Sequence, residues 1–263
     1  MTTTDDTDDT DDTDDTATAS TAIYVYGIVP ADVHPEEDAT GIHDAPIEIV
    51  THDDIAALVS EIDPAQRLGA PTDLQAHAHI LDGTSHVAPV LPLRFGAVVS
   101  DRDAVIDELL ADHEDEFASA LRELEGFAQY MVKGRYVQET ILREIVDESP
   151  KATSLLESIR DQPEELTRDA RMALGEIIGN ALEAKREADT RTTVEMLSPL
   201  TDSVTVRDPT HDEDAAQIAV LFEVDRQGEL EQAVGELAER WDTRVTMRLL
   251  GPMAAYDFIV APT

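Results

Sequence analysis

The chain has 263 residues, no cysteine, and 57 Asp and Glu against 19 Lys and Arg, which gives a formal net charge of −38. The absence of cysteine excludes a disulfide framework and a thiolate nucleophile or metal ligand. The acid excess argues against nucleic-acid binding, which needs a basic stripe. Because no apolar run approaches the roughly 18 residues that span a membrane, we expect a cytoplasmic protein.

The N-terminus is a low-complexity acidic segment. Residues 4–16 repeat Thr-Asp-Asp four times and close with Thr16. Such a sequence buries too little apolar surface to offset the entropy of ordering, so we expect residues 1–21 to be a disordered tail. It is either an interaction or ion-collecting tail, or simply a solvating one.

The rest of the chain is acidic as well. Without the eight aspartates of residues 4–16 its net charge would still be −30, and it has only three lysines. At low ionic strength such a surface repels itself, whereas in molar salt the Debye length falls to about 3 Å. This composition predicts a protein adapted to a salt-filled, halophilic cytoplasm.

The first half of the chain predicts an α+β domain. Residues 23–29 form an apolar run ended by Pro30, which is typical of a buried strand. Residues 101–124 keep apolar side chains at helical spacing. In chain order we predict strands 23–29, 47–50 and 55–62, a helix from 72 to 85, a strand at 90–99, a helix at 101–124 and a strand at 127–137. This order favours a ferredoxin-like N-terminal domain over residues 22–137.

The second half, residues 138–263, is predicted to be a further α+β domain that begins with a helical segment. Its best helix starts at Pro163 and runs to about residue 188. A strand at 217–224, a helix at 230–241 and an alternating strand at 244–250 follow. Gly175 and Gly179 in the long helix are interpreted as sites of tight packing within the chain, with an oligomer contact as the alternative.

Residues 90–99 hold an unusual combination. The run is apolar except for Arg94 and Gly96, and strand formation requires neither. A guanidinium is costly to bury unpaired, so Arg94 is interpreted either as the partner of a carboxylate at the edge of the core or as a contact on an exposed strand edge. No nucleophile or base stands beside it that would suggest an anion clamp for catalysis.

Three segments in order, residues 24–29, 90–99 and 251–258, together resemble the GvpL/GvpF family of gas vesicle accessory proteins. The third segment departs from the family's pattern, because Met253, Ala254 and Ala255 replace a Trp-Pro-Pro. The long acidic N-terminus favours an L-like member. The resemblance implies two domains and identifies candidate interaction or structural residues, namely Arg94, Phe95, Gly96, Gly251, Pro252, Tyr256 and Phe258.

The function that the resemblance implies is non-enzymatic. It is the binding of the small hydrophobic shell protein, and of other accessory proteins, in the early assembly of gas vesicles. An aggregation-prone apolar subunit needs a highly charged holder that covers its apolar faces, by strand addition or by groove docking.

The sequence holds no phosphate-binding glycine loop, nucleophile elbow or zinc-protease motif, so we predict no catalytic, cofactor or metal site. His77 and His79 would point about 160° apart on a helix, and they are interpreted as ordinary, partly exposed side chains. Two other functions stay open: a small-molecule-sensing regulatory module, and an enzyme on a ferredoxin-like scaffold that uses Arg94 and a histidine.

Overall fold

The computed structural model describes residues 21–36, 38–201 and 203–259. The predicted acidic tail lies outside these residues, except for Thr21. The chain folds into two antiparallel β-sheets with helices packed on them, which confirms the predicted α+β class. No helix among the described residues is both long enough and apolar enough to cross a bilayer.

The first sheet is built around one fully buried strand. Its elements are β1 (Ala22–Pro30), β2 (Glu48–His52), β3 (Ile55–Ile62), α1 (Pro71–Ser85), β4 (Leu91–Pro92) and β5 (Val98–Val99). The strand order is β2-β3-β1-β4, and β5 also pairs with β1. Because β1 is apolar on both faces, it can lie at the centre with a hydrophobic cluster on each side.

Helices cover both faces of this sheet. Leu81 of α1 packs on one face with Tyr24 and Tyr26. The other face is covered by the predicted helix 101–124, which is a continuous helical run of varying pitch. The run consists of α2 (Arg102–Ala104), a π-helical stretch (Val105–Leu110), a 3-10 turn (Ala111–His113) and α3 (Glu114–Glu123).

The second sheet has the complete ferredoxin-like βαββαβ order. Its elements are β6 (Phe127–Tyr136), α4 (Gln138–Glu148), α5 (Pro150–Ile159), α6 (Glu164–Leu197), β7 (Val204–Val206), β8 (Asp214–Glu223), α7 (Gln227–Arg240) and β9 (Val245–Met253). The strand order is β7-β8-β6-β9, all antiparallel. The first sheet repeats this order, but a loop with a 3-10 turn at Ile42–Asp44 replaces its first crossover helix.

Strand β6, predicted as the last strand of the N-terminal domain, belongs to the second sheet. It pairs with β8 and β9, whose residues lie about 100 positions further along the chain. The division between the sheets therefore falls in the turn at Gly126 and not after residue 137. An apolar run shows that a strand is buried, but it does not show which strands it pairs with.

The long helix α6 differs from its prediction in two ways. Pro163 is its N-cap residue, and the helix continues to Leu197 over 34 residues. A Cβ atom added to Gly175 or Gly179 would meet no atom within 4 Å. The interpretation that these glycines allow close packing within the chain is therefore wrong.

A partly buried ion network fastens the helices to the second sheet. The Arg244 guanidinium donates to both oxygens of Asp189, at 3.1 and 2.9 Å, and to Glu144 at 2.8 Å. The Tyr136 hydroxyl donates to Asp189 at 2.6 Å, and Lys185 donates to Glu144 at 2.6 Å. Burial opposes the ionisation of Glu144, but the hydrogen bonds from Lys185 and Arg244 outweigh it and lower the pKa of this carboxyl.

Candidate functional site

The three sequence segments that stand out by their pattern meet at one place, between the two sheets. We call this place the motif junction and define it as residues 24–28, 93–97 and 254–259. Its centre is Tyr24, whose hydroxyl lies 2.9 Å from Nδ1 of His77 and accepts the backbone N–H of Gly96 at 3.1 Å. The rings of Tyr26, His77 and Phe95 lie within 6.0 Å of the Tyr24 ring.

Both ionisable groups at this centre are held neutral at pH 7. Burial raises the pKa of Tyr24 to about 12, although the Gly96 N–H partly opposes this. Burial also lowers the pKa of His77, which is only 4% exposed. His77 is thus a core residue, and the expectation of a partly exposed side chain is wrong for it. His79 lies on the exposed side of α1.

Arg94, Phe95 and Gly96 form a turn between two short strands instead of one continuous strand. Arg94 is exposed, and within the described ranges its guanidinium has no carboxylate within 4.0 Å, so the carboxylate-pair interpretation is wrong. Phe95 packs on the aromatic cluster. Gly96 has φ = 94°, and a Cβ there would meet nothing within 4 Å. Its backbone conformation, not a close approach of another chain segment, explains the glycine.

Gly251 and Pro252 lie within β9 where it bulges against β6. A Cβ on Gly251 would lie 2.8 Å from the carbonyl oxygen of Gln129 and 2.9 Å from Cδ1 of Tyr130, and φ is 124°. Here both the space and the backbone conformation require glycine.

The segment after β9 crosses from the second sheet to the first. The N–H of Ala254 donates to Asp82 of α1 at 3.1 Å. Asp257 and Gln129 of β6 exchange two hydrogen bonds, at 2.6 and 2.9 Å. Ala255 and Phe258 pack in the cluster beneath the first sheet. This segment therefore closes the core of the first half.

Tyr256 is the aromatic residue of this segment that stays accessible, with 42% of its surface exposed. Partial burial and the nearby Asp82 carboxylate raise its pKa above the usual range. The exposed side chains of the motif junction are therefore those of Arg94 and Tyr256, and they offer no nucleophile with an adjacent base. The sequence gives no spacing signal for Asp82, His77 or Gln129, which join the segments over distances of 53 to 172 residues.

One group of side chains has a separation that a metal ion could use. Ligand atoms of His52, Asp53 and Glu114 lie within 4.8 Å of one another, and Nε2 of His52 is 3.8 Å from Glu114. These side chains are partly or fully exposed in a strongly acidic chain, where such proximity is common. We assign no metal to them.

Comparison with known proteins agrees with the fold and with the three segments. The family described as Gas vesicle synthesis protein GvpL/GvpF matches residues 22–260. Gas vesicle protein F of Streptomyces sp. (strain CB03234) is 30% identical over 90% of this chain and 98% of its own length. Gas vesicle protein L1 of Halobacterium salinarum is 26% identical over 91% of this chain and 90% of its own.

The crystal structure of the gas vesicle protein GvpF from Anabaena sp. PCC7120 has the same fold. It superposes with a TM-score of 0.75 at 23% identity, and the match covers 93% of this chain and all of that one. The match by family extends across both sheets and the motif junction. The chain therefore belongs to the GvpL/GvpF family of gas vesicle accessory proteins.

Proposed function

We propose that this protein binds the small hydrophobic shell protein of gas vesicles during early assembly and keeps it from aggregating until it joins the shell. It works without catalysis, in the cytoplasm or at the growing vesicle, together with other accessory proteins. The family membership supports a role in gas vesicle formation. The identity of the bound partner and the surface it uses are our proposal.

The observation that carries the proposal is the exposure of apolar side chains on a helical arm. We define the helical arm as α5 and residues 164–177 of α6. Residues 164–177 contribute to none of the four hydrophobic clusters around the sheets. Leu166 is 78% exposed, Met172 is 65% exposed and Leu156 is 37% exposed. Leu166 and Met172 are six residues apart in α6 and so point about 120° away from each other. An apolar partner would bury both of them by wrapping around the arm.

Two of the four sheet edges are too short for strand addition, whereas the other two, β2 with five residues and β9 with nine, keep it as an alternative to docking on the helical arm. The second sheet ends on one side at β7, which has only three residues. The first sheet ends on one side at β4 and β5, which have two residues each. Such short edges offer few free backbone groups to an incoming strand. The motif junction then has a supporting role, which is to fix the two halves relative to each other, with Arg94 and Tyr256 accessible at its rim.

The test is retention of purified shell protein by the immobilised full-length chain, in salt that keeps it folded. We expect Leu166→Gln combined with Met172→Gln to lose most of the retained shell protein. Val87→Gln, which changes an 83% exposed valine outside the arm, should retain it. If both variants retain it equally, the arm is not the binding surface. If the unaltered chain retains neither shell nor accessory protein, the binding role fails and the sensing module replaces it.

A further inference from the structure

The second sheet has one face that its helices do not cover. Side chains alternate along a strand, so Lys133 and Arg135 of β6 point away from the cluster that α6 and α7 form with Val132 and its neighbours. Near Gln129 this face is closed by the segment after β9. Towards the other end it is open, and Arg135, Arg248 and Leu250 are exposed there.

Two positive charges face each other on this open area. Lys133 and Arg248 are direct cross-strand partners of β6 and β9, so their side chains leave the sheet on the same side. Like charges in this arrangement destabilise a sheet. Across the described residues, neither side chain has a carboxylate within 4.0 Å. The chain has 57 acidic residues, yet none of those described compensates the charges of this cation pair.

The buried carboxylate of Asp214, in the wall of this area, is already engaged elsewhere. Oδ2 of Asp214 accepts hydrogen bonds from the backbone of Thr210 and His211 and from the side chain of Gln217, at 2.6 to 2.9 Å. These donors outweigh the effect of burial and lower the pKa of Asp214. They fix its position, so it does not turn towards Lys133.

The open area is concave and has room for a peptide segment. Two adjoining hollows of about 650 and 350 Å³ share Lys133, Thr210 and Gln217 in their walls. Arg207 lines the first together with Asp208 and Asp257, the latter 3.3 Å from Arg207, and Arg135 and Arg248 line the second together with Asp214. Among the described residues, Lys133 and Arg248 are the cations of this area that have no carboxylate within 4.0 Å. Hydroxyl and amide groups between the cations provide further hydrogen-bonding positions. We call this area, from Lys133 to Arg248, the cationic face.

We propose that the cationic face binds the Thr-Asp-Asp segment, residues 4–16, of the same chain. The segment carries eight carboxylates within 11 residues, and carboxylates form charge-assisted hydrogen bonds with ammonium and guanidinium groups. An acidic partner in solution would have to approach a body of net charge −30. The segment is already attached, and attachment provides an effective concentration of the order of millimolar.

The length of the connection permits this contact. Asp15 is six residues from Thr21, the first described residue, and Asp5 is sixteen residues from it. An extended chain covers up to about 3.3–3.6 Å per residue, so these aspartates reach roughly 20 to 55 Å from Thr21. A compact chain of this length has a radius of gyration of about 18 Å, so the segment can reach the second sheet.

This contact would give the acidic N-terminus a regulatory part. When the Thr-Asp-Asp segment is bound, it competes with acidic segments of other proteins for the cationic face. Screening by salt weakens the contact, because the Debye length falls from about 10 Å at 0.1 M to about 3 Å at 1 M. In the salt-filled cytoplasm that the composition predicts, the acidic segment is therefore released, and the contact forms when the salt concentration falls. The contact is independent of the helical arm and of the shell protein, so it can fail or hold without deciding the proposed function.

The experiment uses the absence of cysteine to place two spin labels in the full-length chain. One label is at Thr10→Cys in the acidic segment, and the other is at Thr246→Cys beside the cationic face. A comparison chain carries the second label at Glu239→Cys, exposed on α7 on the covered side of the sheet. Double electron–electron resonance at low and molar salt then measures both distance distributions.

At low salt we expect a short, narrow distance population between the labels at positions 10 and 246. This population should be missing between positions 10 and 239, and it should disappear in molar salt. Lys133→Gln with Arg248→Gln should abolish it. Lys151→Gln with Arg160→Gln, the same charge change on exposed residues in and directly after α5, should retain it. Circular dichroism checks that each variant is folded. Equal distributions to both labels, or no effect of neutralising the face, would overturn the proposal. Loss of the short population on dilution with unlabelled protein would also overturn it, since the contact would then be between two chains.

Discussion

Replacing Asp189 with alanine should be among the most destabilising single changes in the second half. Asp189 is 7% exposed, and it accepts the Tyr136 hydroxyl and two guanidinium donors of Arg244. Alanine leaves the hydroxyl and a cation without their main acceptor in a place that water hardly reaches. Both groups then carry a desolvation cost that the native contacts offset.

The size of the effect follows from what remains around Arg244. Breaking a buried ion pair by removing one partner costs about 3–5 kcal/mol. Arg244 keeps its hydrogen bond to Glu144, and its side chain is 19% exposed. We therefore expect Asp189→Ala to lower the unfolding free energy by about 3 kcal/mol, the lower end of this range. Part of the cost is offset by the better helix propensity of alanine, which contributes up to about 0.7 kcal/mol.

Urea unfolding followed by circular dichroism at constant high salt measures this loss. Asp169→Ala is the matched control, because Asp169 is exposed on the same helix and the change in charge and propensity is the same. A double-mutant cycle with Arg244→Met isolates the pair. If Asp189→Ala and Asp169→Ala differ by less than about 1 kcal/mol, which is the typical cost of an ordinary substitution, the network does not stabilise the fold as described.

Three further outcomes are expected. Gly251→Ala should lower the unfolding free energy by at least about 2 kcal/mol in the same assay, because the added Cβ would meet the Gln129 carbonyl at a positive φ. Gly179→Ala, in a part of α6 with open space around it, should raise the unfolding free energy by about 0.5–1 kcal/mol. Equal effects of the two substitutions would contradict this. The folded-state pKa of Glu144 is lowered, so its contribution to stability is present at neutral pH and is lost as pH falls through that pKa. The stability difference between the unaltered chain and Glu144→Gln should accordingly shrink between pH 6 and acid, and a constant difference would refute the coupling. Dialysis from molar salt into dilute buffer should lower the urea midpoint of the full chain, and an unchanged midpoint would count against the salt-adapted composition.

The sequence predicts those strands and helices correctly that a pattern of a few neighbouring residues determines. The apolar runs at residues 23–29 and 217–224 indicate buried strands, and β1 and β8 are such strands. Helix α1 begins at Pro71, one residue before the predicted start, and the carboxylate of Asp73 in its first turn accepts the N–H groups of Gly69 and Ala70. Capping and periodicity act over a few residues, so they can be read without knowing the rest of the fold.

Where the sequence fails, the deciding contact is distant or conformational. The partners of β6 lie about 100 residues away, and the pair of Arg244 with Asp189 spans 55 residues. The glycine at position 96 looks the same in sequence whether it serves a positive φ or a close approach, and only the backbone distinguishes the two. The exposure of the Arg94 side chain could not be predicted from sequence either, because it depends on the turn that the positive φ of Gly96 allows.

The position of the motif junction explains why the family signature and the proposed binding surfaces lie in different places. Residues 254–259 leave the second sheet and close the core of the first, so the signature residues set how the two halves are joined. The helical arm and the cationic face both belong to the second half; the arm lies outside this junction, and the face adjoins it at Asp257, which lines one of its hollows. A partner or the acidic segment can therefore bind either surface without separating the halves. Substitutions in the junction should lower the stability of both halves together. Substitutions on the helical arm should alter binding and leave unfolding unchanged, whereas Lys133→Gln with Arg248→Gln should also relieve the cross-strand repulsion and raise stability slightly.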